Sequence, residues 1–188
     1  MFLLAALHPR RAFDGAAGDP NLPRGTIAVA ATGAATLVLE LIAALVGNAG
    51  DAAVALSLAA PVLLAGFWLG GALLIGAGAR LMGLAPRRRE LLAVTGLAFP
   101  VLVLYAVITL IQAVSPRWGG DALSTAVGLL ALPTVGWFVA LNAFAVRALY
   151  GVSGLSAVAI ALLPFAALSG VLLLLVVLLS LLHAAGLA

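Results

Sequence analysis

Five apolar stretches, each about twenty residues or longer and joined by short connections, constrain this chain more than any other feature of its sequence. Each can cross the ~30 Å hydrocarbon core of a bilayer as a helix, in which every backbone polar group is satisfied internally. Only 8% of the 188 residues are charged and 65% are hydrophobic, whereas soluble domains typically carry about a quarter charged residues. There is too little polar material to cover a water-facing surface. The sequence therefore reads as an all-α, polytopic membrane protein with spans at about 26–47, 53–83, 90–114, 122–147 and 153–183. Residues 26–188 form one five-helix domain, and residues 1–25 form a cytoplasmic approach to it.

Charge sets the orientation. All nine basic residues are arginines. Arg10, Arg11 and Arg24 precede the first span, Arg80 and Arg87-Arg88-Arg89 surround the second connection, and Arg147 ends the fourth span. Arg117 alone falls on the other side, beside Asp121. Basic loops resist translocation, so the chain is expected N-terminus in and C-terminus out. The net charge of +3 is then a topology signal and a lipid contact, and no nucleic acid is implied. The lysine-free, Ala/Gly/Arg-rich composition points to a GC-rich prokaryotic genome and its plasma membrane.

Local signals refine this outline. Met1 to Phe13 suits an interfacial helix with Phe2, Leu3 and Phe13 dipping into the leaflet. Asp14 to Arg24 reads as a mobile linker. Pro61, Pro100, Pro133 and Pro164 lie inside spans two to five and predict kinks or tilt there. Gly66-x-x-x-Gly70 thins one face of span two for close helix packing. Asn48-Ala49-Gly50-Asp51 and Ser115 to Asp121 carry strong turn chemistry.

No catalytic residue, metal site or cofactor is expected. Cysteine is absent, and no HExxH, Walker lysine loop or carboxylate cluster is present. Gly151-Val152-Ser153-Gly154 matches the string around the nucleophile of an intramembrane serine protease, with His183 downstream. Thirty helical residues separate Ser153 from His183 by about 45 Å, far beyond hydrogen-bond reach. Ser153 is better explained as the N-cap of span five.

Glu40 is the one acid well inside a span, where a charge costs about 2.5–3.5 kcal/mol on insertion scales. It lies roughly 10 Å from the end of its helix, and Thr109, Gln112, Ser124 and Thr125 share its half of the membrane. Glu40, Thr109, Gln112 and Thr125 are the candidate polar site. Two readings stay open: a proton- or cation-handling carboxylate in an outward-facing cavity, or a protonated, hydrogen-bonded glutamate joining spans one, three and four. Asn142 belongs to the opposite half, and Arg87, Arg88 and Arg89 are the candidate cytoplasmic contact to lipid or partner.

Several segments resemble the Yip-domain family of five-span, Rab-interacting membrane proteins, and in particular its prokaryotic members. Leu7-His8-Pro9-Arg10-Arg11-Ala12-Phe13 looks like their Pro-Arg-x-x-Phe approach to the first span. Arg80-Leu81-Met82-Gly83-Leu84 looks like the end of their second, and Leu91 to Pro100 is similar to their third. Gly136-Trp137 through Gly151-Val152-Ser153-Gly154-Leu155-Ser156-Ala157 to Pro164 resembles their fourth span, glycine turn and fifth span. The resemblance implies a five-helix, non-enzymatic interaction or membrane-organising protein, oligomeric or bound to lipids or a protein partner. For eukaryotic members it implies vesicle traffic with Rab partners, and those members carry a long hydrophilic N-terminal region that this sequence does not show. The alternative expectation is a small ion-coupled carrier using Glu40.

Overall fold

The computed structural model describes residues 5, 7–47 and 50–184, with the side chains of 116–119 and 184 excepted. The turn residues Asn48 and Ala49, the first residues of the N-terminal segment and the Trp118 side chain lie outside that set. Eight α-helices follow one another from Pro9 on among the described residues: α1 Pro9–Gly18, α2 Leu22–Val46, α3 Asp51–Leu81, α4 Arg88–Thr95, α5 Leu102–Val114, α6 Pro116–Leu129, α7 Ala131–Tyr150 and α8 Gly154–Ala184. A 3-10 segment, Gly96–Val101, joins α4 to α5. Among the described residues five helical stretches are long and apolar enough to span a membrane: α2, α3, α4 through α5, Gly120–Tyr150 and α8. Consecutive spans alternate in direction, so the bundle has an Arg87 end and an Asp51 end.

Prolines and caps explain where the helices start and bend. Span one begins at Leu22, four residues earlier than expected. Asn21 accepts a hydrogen bond from the Arg24 N–H at 3.2 Å, and Pro23 fits the first turn, where its missing N–H is unneeded. Pro100 has no N–H for the Gly96 carbonyl four residues back, and span three tightens there into its 3-10 segment. Gly120, at φ 65°, makes the break that starts span four. Pro61 and Pro164, by contrast, sit within helices that run on unbroken. Ser153 caps α8, its hydroxyl accepting from the Ser156 N–H at 3.2 Å.

The N-terminal approach differs from the expectation. Asp14–Gly18 is helical, continuing α1. Phe13 is fully buried with Ala28, Val94 and Phe138. It anchors in the bundle core and does not dip into the leaflet. Helix α1 thus closes the Arg87 end, packed on α7 and α4.

Span three is the hub, packed on α2, α3 and α7, and 56% of its most apolar eighteen residues are buried. At the Arg87 end it meets α2 backbone to backbone: a Cβ added to Gly25 would lie 2.5 Å from the Ala93 carbonyl oxygen, and one on Gly96 2.6 Å from that of Gly25. Helix α8 leans on α3 and α7, where Gly78 meets Leu163 and Gly71 meets Pro164. None of the eighteen residues in its most apolar window is buried. The expected packing role of Gly66 and Gly70 falls elsewhere: a Cβ on either would meet nothing within 4 Å, so that face of α3 points out of the bundle.

Candidate functional site

Between α2, α3 and α5, toward the Asp51 end, lies a cavity of about 950 Å³. That is at the upper end of the ~300–1,000 Å³ typical of small-molecule sites. Helix α2 supplies one wall at helical spacing: Thr36, Glu40, Ala43, Ala44 and Gly47. Small side chains there leave room where larger ones would fill it. Across from them stand Ser57 and Ala60 of α3 and Leu102, Tyr105, Thr109 and Gln112 of α5. Leu56, Leu63, Tyr105 and Leu168 also line the cavity and are themselves exposed. Leu63 lies twelve residues, about 18 Å, into α3. The cavity therefore opens sideways through the flank of the bundle, at the depth of hydrocarbon.

Its inner end is shut. Phe67, which lines the cavity, packs on Phe165 with ring centroids 5.7 Å apart, on Phe138 at 6.1 Å and on Phe99 at 6.3 Å. Phe99 and Phe138 meet edge to face at 5.2 Å. One ring each from α3, the 3-10 segment, α7 and α8 makes this plug. Behind it, beside Thr95 and Asn142, only about 10 Å³ remains, at the lower limit for one water molecule.

Most polar groups in the spans are satisfied locally. Thr32, Ser57, Thr95, Thr109 and Thr134 each donate to the carbonyl four residues back, and so does the Asn142 amide. Trp68 donates its indole N–H to the Leu92 carbonyl. Two groups on the cavity wall break this pattern. The Thr36 hydroxyl is buried with no hydrogen-bond partner among the described residues, and Glu40, one turn away, has no partner there either. Thr36 was not singled out from sequence, although its place four residues before Glu40 on a small-residue stripe was a readable signal.

Of the four residues expected to form the polar site, Glu40, Thr109 and Gln112 share this cavity. Thr125 does not line it. Gln112 donates to the Ser124 carbonyl at 3.2 Å and lies against Gly128, so positions 124 and 128 face it. One residue on, about 100° round the helix, Thr125 is exposed. Thr109 and Gln112 are engaged with carbonyls, which leaves Glu40 and Thr36 as the unsatisfied pair. Asn142 lies beyond the aromatic plug.

The three arginines of the second connection also divide. Arg87 donates through Nη1 to the Leu149 carbonyl at 2.7 Å, a charged donor on the last turn of α7. Its Nε lies 3.7 Å from Glu90, a half-exposed pair that contributes little. It clasps two spans together, while Arg88 and Arg89 are exposed. Among the described residues no three His, Cys, Asp or Glu side chains group to hold a metal.

A family model described as the Yip1 domain matches residues 4–180. No curated protein and no solved structure matches the chain.

Proposed function

The chain belongs to the Yip1-domain family, multi-pass membrane proteins that in general are not enzymes, and on that premise we propose that it is a non-enzymatic interaction protein of the bilayer that takes up a lipid-like molecule. The carrying observation is the blind, laterally open cavity of about 950 Å³. Its wall is chiefly aliphatic and aromatic, which suits an elongated apolar body entering from the hydrocarbon. The buried Thr36 hydroxyl, unpartnered among the described residues, and the partly buried Glu40 beside it suit one hydroxyl, amide or amine on that body, because a buried hydroxyl without a partner costs about 1–3 kcal/mol. The arginine distribution supports a cytoplasmic N-terminus, and the lysine-free, Ala/Gly/Arg-rich composition supports a prokaryotic plasma membrane.

Native mass spectrometry of the full chain from mild detergent tests this. The wild type should retain one lipid-like molecule per chain. Ala44→Phe, which fills the cavity from α2, should lose it while staying folded. A bare wild-type chain, or equal retention by the variant, would contradict the reading.

Glu40 itself favours one second reading, an ion-coupled carrier. The aromatic plug weighs against it, since a permeation path must pass Phe67. Flux of protons or small cations from liposomes, altered by Glu40→Gln, would support the carrier. No flux across a broad screen would end it.

A further inference from the structure

A second cavity lies at the Arg87 end, with opposite chemistry. It is a groove of about 420 Å³ between α1 and the α7–α8 turn, lined by Arg10, Asp14, Phe144, Arg147, Gly151 and Val152, with Ala148 on the same wall. Arg10 and Asp14 stand one turn apart on α1, and Arg147 and Gly151 one turn apart at the end of α7. Burial of Phe13, Ala12 and Ala16 docks α1 on the bundle and so holds the two arginines across one groove. Gly151 ends α7 in the left-handed conformation, at φ 67°, and donates its N–H to the Arg147 carbonyl. Lacking a Cβ, it leaves the groove floor open.

None of Arg10, Asp14 and Arg147 makes a side-chain hydrogen bond or ion pair among the described residues. Arg147 sits three residues before the end of an apolar span, where lipid phosphates lie. Two guanidiniums against one carboxylate leave the groove net positive. Arginine's planar fork of donors suits phosphate oxygens in paired hydrogen bonds.

We propose that this groove binds the phosphodiester of a membrane lipid head group, with Arg10 and Arg147 on the phosphate and Asp14 accepting a hydrogen bond from a hydroxyl or ammonium on the same head group. This site is independent of the Glu40 cavity. Its ligand is read by charge at the surface, and the apolar cavity takes its own from the hydrocarbon.

The test titrates the detergent-purified full chain with short-chain phosphatidylglycerol, short-chain phosphatidylcholine and inorganic phosphate. Wild type should bind phosphatidylglycerol at least fivefold more tightly than phosphatidylcholine, which lacks the donor. Arg10→Gln with Arg147→Gln should weaken phosphatidylglycerol tenfold or more. Arg11→Gln with Arg24→Gln, two exposed arginines outside the groove whose loss removes the same charge from the same end, should change it less than threefold. Equal weakening by the two pairs would reduce the site to diffuse surface charge and overturn the proposal. Inorganic phosphate binding as tightly as the lipid would overturn the head-group assignment. Should the first pair fail to fold, Ala148→Glu sets a carboxylate on the groove wall. It should abolish binding, and wild-type affinity in that variant would refute the site.

Discussion

At the Arg87 end the spans touch backbone to backbone, α1 closes the bundle, and aromatic rings interlock. At the Asp51 end α2, α3 and α5 stand apart around about 950 Å³, and none of the eighteen residues in the most apolar window of α8 is buried. Residue size alone does not account for the difference, because both ends are rich in alanine and glycine. At the Arg87 end glycines face glycine or backbone across the helix pair, Gly25 against Ala93 and Gly96, so the helices close. At the Asp51 end Ala43 and Ala44 of α2 stand across the cavity from Ala60 of α3. In lipid, helix association rests on van der Waals packing, and close approach gains it where a gap does not. One half of the molecule is closely packed, and the other holds the cavity.

The largest expected effect tests the closed half. Gly96→Val drives a Cβ into the Gly25 backbone and should destabilise by more than ~3 kcal/mol, read as lost monodisperse protein or a collapsed Tm. Gly66→Val, on the open face of α3, should change stability by less than ~0.5 kcal/mol. If the two behave alike, the contrast between the halves is broken. Next, Phe138→Ala removes a ring that contacts the other three of the plug and should cost about 3 kcal/mol, whereas Leu56→Ala on the exposed cavity wall should cost under ~1 kcal/mol. Equal losses would mean that the cavity wall is as tightly packed as the core. The smallest effect belongs to α8: Leu173→Ala, 66% exposed, should leave Tm within error. A clear loss would place a second chain or a missing neighbour against that helix.

How much of this the sequence carried depends on the coordinate asked for. Depth was legible, because helical rise converts residue number to distance. Glu40, Thr109 and Gln112 were grouped on that basis, and Asn142 was set apart. Rotation about each helix axis was not. Thr125 lies at the right depth on the wrong side of α6, Gly66 and Gly70 face outward, and Thr36 was passed over beside Glu40. Contacts distant in sequence were equally hidden. Nothing local marks Arg87 for the Leu149 carbonyl 62 residues away, or Phe13 for the bundle core. The four phenylalanines of the plug come from four elements and form no pattern along the chain.

The account turns on what fills the Asp51-end cavity. Because the chain has no cysteine, a nitroxide can be attached at a single introduced site without background. Three labels, at Ala44→Cys in the cavity, Leu173→Cys on exposed α8 and Ala98→Cys in the core, would be compared in bilayers. Their collision rates with lipid-soluble oxygen and with a water-soluble nickel chelate are the measurement. The account predicts that Ala44→Cys resembles Leu173→Cys, accessible to oxygen and shielded from nickel, with Ala98→Cys shielded from both. Strong nickel contact at Ala44→Cys would show a water-filled vestibule and contradict the lipid-binding reading.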